Sequence, residues 1–180
     1  MARMKVATVW FGGCSGCHMS FLDLDEFLID LAAQVDIVYS PVADVKEYPS
    51  HVDICLIEGA VANDEHVELA HLIRQNTDII IAFGDCAVTG NVTAMRNPLG
   101  TIEPILQKVY VEAATLHGRI PFEKGIVPQL LDRVLPLHQV IEVDAYLPGC
   151  PPPAERIKAV LVKALSGEPL TLEGSDLKPG

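Results

Sequence analysis

Residues 78–83 read Asp-Ile-Ile-Ile-Ala-Phe, and Gly84 follows at once. A strand with one face in water alternates apolar and polar side chains. This run does not, so both of its faces have to be covered, as in parallel sheets sandwiched between helices. The rest of the chain agrees. Residues 5–11 are apolar and run into glycine, 35–39 form a short β-branched run stopped by Pro41, 53–58 make another strand closed by Gly59, and 140–147 make the last. Helical spacing fills the intervals. Ser20 with Asp23 three residues on reads as a helix start, and Phe21, Leu24, Leu28 and Leu31 share one face. Asn63 reads as the cap of a second helix, with Asp64 and Glu65 at its positive end. Pro153 suits the first turn of a final helix to Leu165, which Gly167 ends.

A stretch broken by Pro98, Pro104, Pro121, Pro128 and Pro136 lies between, with short helices expected near 101–109 and 129–135. Five strands alternating with helices predict an α/β chain: a flavodoxin-like open parallel sheet with flanking helices. One domain is expected over 1–167, with a C-terminal tail over 168–180. A formal net charge of −11 argues against a nucleic-acid partner, whose phosphates demand a basic surface. No apolar run nears the ~20 residues of a membrane span. The N-terminus enters a strand with no apolar signal segment, so a cytoplasmic location is expected. There the five cysteines stay reduced, and metal or redox chemistry outranks disulfides.

In an open parallel sheet, ligand sites form where the strands end. Cys14 and Cys17 follow the first strand in WFGGCSGCHMS, Cys86 follows residue 83 in FGDCAVTG, and Cys150 follows the last strand in LPGCPPP. Four thiols from three strand ends can therefore meet. Cys55 lies mid-strand, where it reads as a small buried hydrophobe. The opening glycines do not match G-x-G-x-x-G, and no phosphate-loop motif occurs, which argues against a nucleotide. Thioredoxin-like thiol–disulfide exchange accounts for a C-x-x-C at a helix start but leaves Cys86 and Cys150 unexplained. Zinc would use all four, although structural zinc sites bring two close pairs. Four thiolates suit a [4Fe–4S] cluster, and Gly13, Gly16, Gly84 and Gly149 would let backbone N–H groups approach its sulfides. The spacing favours the cluster and leaves the other two open.

CSGCHMS, IEGAV, GDCAVTG and LPGCPPP, in this order, resemble the small subunit of nickel–iron hydrogenases over about residues 5–165. The related quinone-reductase subunit of respiratory complex I carries two adjacent cysteines in place of C-x-x-C. The resemblance implies one proximal [4Fe–4S] cluster on Cys14, Cys17, Cys86 and Cys150. Longer hydrogenase small subunits add a C-terminal domain with two more clusters; this chain is similar to the short soluble type of NAD-reducing hydrogenases. The implied partners are a large subunit holding the NiFe centre and diaphorase subunits carrying FMN, NAD and further iron–sulfur clusters. The whole complex would catalyse H2 + NAD⁺ ⇌ NADH + H⁺, with this chain passing electrons between the two. A soluble hydrogenase with another acceptor, such as coenzyme F420, is the alternative.

The resemblance also makes Glu58 and Ser15 candidates beside a proton path. Read without it, Glu58 is a strand-end carboxylate capping backbone donors and Ser15 a spacer. His18 is expected to hydrogen-bond nearby backbone, Trp10 and Phe11 to pack in the core, and 95–139 to form partner contacts. One position departs from many relatives: Asn91 stands where they carry a second glycine after the GxCA motif.

Overall fold

The structure, a computed structural model, describes residues 3–170 and Gly174. Its frame is a five-stranded parallel sheet of β1 (Met4–Trp10), β2 (Val35–Tyr39), β3 (Val52–Glu58), β5 (Thr77–Phe83) and β7 (Ala145–Leu147), in the order β2-β1-β3-β5-β7. Between β3 and β5 the short β4 (Val61–Asn63) leaves the sheet and pairs antiparallel with β6 (Leu130–Leu135). The helices are α1 (Gly16–Leu22), α2 (Phe27–Gln34), α3 (Asp64–Asn76), α4 (Asp85–Thr89), α5 (Asn91–Ala94), α6 (Ile102–Gln107) and α7 (Ala154–Ser166). None among the described residues is long and apolar enough to cross a membrane.

Both faces of the sheet are covered, as the apolar run at 78–83 requires. Ile54, Leu56, Ile81 and Phe83 face one way, against Phe21 of α1, Leu31 of α2 and Ile157, Val160 and Leu161 of α7. Cys55, Ile57, Ile80 and Ala82 face the other, against Ala70 and Ile73 of α3, Ala87 of α4, and Leu137 and Ile141. The period-two alternation is intact, but both sets are apolar.

Pairing register brings the strand ends level. Trp10 pairs with Glu58, Glu58 with Phe83 and Phe83 with Leu147, so four strands finish in one row. Every cysteine-bearing loop begins beyond that row.

Three expectations need correction. The first helix starts at Gly16, and Ser20 lies inside it with its hydroxyl donating to the Pro152 carbonyl at 2.6 Å. Residues 130–135 form a strand instead of a helix, because nonlocal partners claim their backbone. Arg96 donates to the Leu131 and Asp132 carbonyls, and Asn97 both donates to the Val134 carbonyl and accepts from its N–H. The last strand spans only Ala145–Leu147. The stretch before it turns instead to bury Leu137 and Ile141, and the Asp144 carboxylate binds Arg74 and the Ile80 N–H. The helix expected near 101–109 is present as α6 and runs on as a π-helix through Glu112. Most of the expected tail at 168–180 lies outside the described residues.

Asn63 caps α3 as its sequence suggests, its side-chain oxygen accepting from the His66 N–H at 2.7 Å. Asn63→Ala is expected to lower the unfolding free energy by about 1 kcal/mol in a urea titration, with Asn63→Asp retaining most of it.

Candidate metal centre

The first loop leaves β1 and is sewn to β3 before it turns. Phe11 N–H donates to the Glu58 carbonyl at 2.8 Å, and Gly12 and Ala60 exchange backbone hydrogen bonds. Ser15 takes the left-handed region, φ +66°, and α1 starts directly after it. Cys14 precedes that turn and is exposed; Cys17 sits in the first turn of α1 and is buried.

Glu58 holds this loop from below. It is 1% exposed, and its carboxylate accepts from Cys17 N–H at 3.3 Å and His18 N–H at 2.9 Å. It also contacts His18 Nδ1. The N–H groups a helix start leaves free are thus taken by a buried anion, the pairing the helix dipole favours. His18 meets a carboxylate where backbone was expected, and its Nε2 is buried without a hydrogen-bond partner among the described residues. Phe11 is buried and stacks on His66 at 4.8 Å, whereas Trp10 is 46% exposed, against the expectation of core packing. Ser15 donates to the Cys14 carbonyl, a local contact.

The second and third loops are tied to each other. Gly84 N–H donates to the Leu147 carbonyl at 2.8 Å and Asp85 N–H to the Gly149 carbonyl at 2.9 Å. The buried Asp85 carboxylate accepts from Gly149 N–H at 2.7 Å. Cys86, buried in α4, and Cys150, exposed beyond Gly149, therefore ride on a single hydrogen-bonded unit. The first and second loops meet sulfur to backbone. A Cβ on Gly84 would lie 2.1 Å from Cys17 Sγ, and Gly84 has φ +82°, so only glycine leaves the sulfur its place.

The four thiols act on one another. Burial is the main influence on Cys17 and pushes its thiol up; the Glu58 carboxylate and then Cys86, Cys14 and Cys150 push the same way. Burial also pushes Cys86 up, with Cys14 and Cys150 adding to it. Cys55 is different: sealed in β3, its thiol is pushed up to about 12 by burial, with Tyr48 and Arg74 as its neighbours. Among the described residues no three His, Cys, Asp or Glu side chains close on a single ion.

Sequence reasoning missed two members of the site. Asp85 stands between Gly84 and Cys86, and the bond its carboxylate accepts from Gly149 N–H identifies it as a tether. Asn91, noted only as a departure, donates its side-chain amide to Cys150 Sγ at 3.4 Å.

The fit at Gly84 is testable by stability. Gly167→Ala meets only the left-handed penalty of about 1–2 kcal/mol, because nothing lies within 4 Å of its Cβ. Gly84→Ala is expected to cost more in a urea titration, since Cys17 has to move as well. Equal losses would mean that the contact carries no weight. A second test concerns the tether. Asp85→Ala is expected to destabilise by about 1–3 kcal/mol through the orphaned Gly149 N–H, read the same way.

Comparison with known proteins extends the picture. Residues 14–164 match the family described as NADH ubiquinone oxidoreductase, 20 Kd subunit. The chain is 38% identical to the NAD-reducing hydrogenase HoxS subunit delta of Cupriavidus necator, across 96% of this chain and 84% of that protein. It is 37% identical to a subunit of the F420-non-reducing hydrogenase of Methanothermobacter marburgensis, covering 97% of this chain but only 58% of that longer protein. A solved NAD⁺-reducing [NiFe]-hydrogenase in the H2-reduced state contains a chain that superposes with a TM-score of 0.93 at 38% identity, over 99% of this chain and 100% of that one. The [NiFeSe] hydrogenase of Desulfomicrobium baculatum, at 18% identity and a TM-score of 0.61 over 99% of this chain and 70% of that one, shares the fold. The chain thus belongs to the NADH ubiquinone oxidoreductase 20 Kd subunit family, among its hydrogenase small subunits.

Proposed function

We propose that this chain is the electron-transfer small subunit of a cytoplasmic NAD-reducing nickel–iron hydrogenase, and that residues 1–167 form its cluster-carrying domain. In this reading Cys14, Cys17, Cys86 and Cys150 hold one [4Fe–4S] cluster. The observation that carries it is the meeting of four thiols from three loops beyond one level row of strand ends. Ligands of a polynuclear group bond different metal atoms, so they have to interact without converging on one ion. The spread of the four cysteines over three separate loops supports a cluster over a structural zinc site, which brings its ligands in two close pairs.

It also disfavours thiol exchange. A reactive C-x-x-C cysteine draws its low pKa from free helix N–H groups. Here the Glu58 carboxylate occupies those of Cys17 and His18, and burial pushes the Cys17 thiol up. A bound metal reverses that preference, because a coordinating thiol loses its proton.

When bound, the cluster supplies one-electron redox chemistry. The protein's part is positioning and shielding. Gly84 leaves room for Cys17, Asp85 and Gly149 lock the loops of Cys86 and Cys150 together, and the apolar frame below keeps water from that side. Of the two readings of Glu58, its contacts support capping of backbone donors.

Partner subunits complete the reaction. We place the NiFe centre in a large subunit, and FMN and NAD with further iron–sulfur clusters in diaphorase subunits. Exposed Met95, Leu99, Val109, Phe122 and Ile126 in the segment at 95–139 offer apolar surface for such contacts. The alternative acceptor is coenzyme F420, which the name of the Methanothermobacter marburgensis relative, an F420-non-reducing hydrogenase, does not favour. Hydrogen-dependent reduction of NAD⁺ by the isolated complex, and its absence with coenzyme F420, is the result that separates the two.

Chain isolated without oxygen is expected to carry about four irons and the broad brown absorption of a cluster. Cys86→Ser and Cys150→Ser are expected to lose iron and colour, and Cys55→Ser to keep both. Stoichiometric zinc without colour would remove the electron-transfer reading.

A further inference from the structure

Asn91 lies outside the cysteine loops, yet its side chain reaches one of the four thiols. The Asn91 side-chain amide donates to Cys150 Sγ at 3.4 Å. It reaches there from a backbone φ of +32°, a left-handed setting that asparagine tolerates better than most residues. The segment is pinned at both ends. Gly90 before it turns the chain at φ +86°, and the Thr93 hydroxyl donates to the Gly12 carbonyl at 2.8 Å. A Cβ on Gly12 would lie 3.2 Å from Thr93 Cγ2, so the segment packs tightly on the first loop.

The surroundings are therefore uneven. A donor faces Cys150, whereas Cys17 has a buried carboxylate beside it. Hydrogen bonds to ligand sulfurs are among the levers that set the potential of an iron–sulfur cluster, because they stabilise its more negative state.

We infer that Asn91 is a potential-setting residue: its amide dipole, aimed at the Cys150 sulfur, favours the reduced state of the cluster and draws the added negative charge toward the Cys150 side. The effect is electrostatic. One electron enters, and no bond at Cys150 forms or breaks. The inference rests on the proposal that the four thiols hold a [4Fe–4S] cluster. Asn91 acts through Cys150 and has no other part in the reaction.

The test compares the full chain, isolated without oxygen, with Asn91→Gly and Asn91→Asp. Glycine suits the positive φ and removes only the amide; aspartate keeps the shape and replaces the donor by a negative oxygen. Iron per chain is measured first, then the midpoint potential by a redox titration followed by electron paramagnetic resonance. Both variants are expected to keep about four irons. The reduction equilibrium of Asn91→Gly is expected to move against the reduced state by about threefold to tenfold, tenfold being ~59 mV for one electron. Asn91→Asp is expected to move it further in the same direction. Unchanged midpoints in iron-replete variants overturn the inference. So does loss of iron from both, which would make Asn91 a structural part of the loop. A parent chain with no cluster overturns the underlying reading itself, and is distinguished by the iron measurement alone.

Discussion

The site depends on a matter of register. Parallel strands leave their carbonyl ends at one edge, but nothing general requires those ends to be level. Here Trp10, Glu58, Phe83 and Leu147 stand side by side in hydrogen-bonded sequence. A shift of one residue in β3 would turn Glu58 from one face of the sheet to the other and remove the carboxylate from the start of α1. A shift in β5 would carry Gly84 away from Cys17. The register is protected by the double-sided core, since a one-residue slip exchanges the residues that pack against α7 with those that pack against α3.

Above that row the loops are tied to one another by hydrogen bonds. Glu58 anchors the first loop, Gly84 and Asp85 bind the third, and Ser20 reaches from α1 to the Pro152 carbonyl. These ties are buried, where a satisfied hydrogen bond is hard to exchange for water. The chain therefore presents its sulfurs from a largely preorganised rim, with less ordering left for a ligand to accomplish.

Much of this is visible in the amino-acid order. The apolar run at 78–83 implies burial on two faces, and motifs placed after each strand imply a shared edge, so the flavodoxin-like sheet and the gathering of Cys14, Cys17, Cys86 and Cys150 follow from local patterns. What the order hides is nonlocal. Leu-Leu-Asp-Arg-Val-Leu at 130–135 suits a helix as well as a strand. Arg96, Asn97 and the distant β4 settle the matter, and no periodicity reveals them. Ser20 carries the signature of a cap, but the true start lies one turn earlier, where Glu58 supplies the acceptor from forty residues away. Asp85 and Asn91 look like spacers because their roles exist only once β5 and β7 are neighbours.

The borders of the sheet carry a consequence for assembly. Exposed strand edges invite another chain to extend the sheet, and proteins blunt them by shortness or charge. At one border β7 is three residues long. At the other, β2 carries Asp36, paired with Arg3 at 3.1 Å. Neither border offers a foreign strand a long apolar template. Lateral growth into ribbons or fibrils is discouraged, and lasting association with other proteins is left to side-chain surfaces.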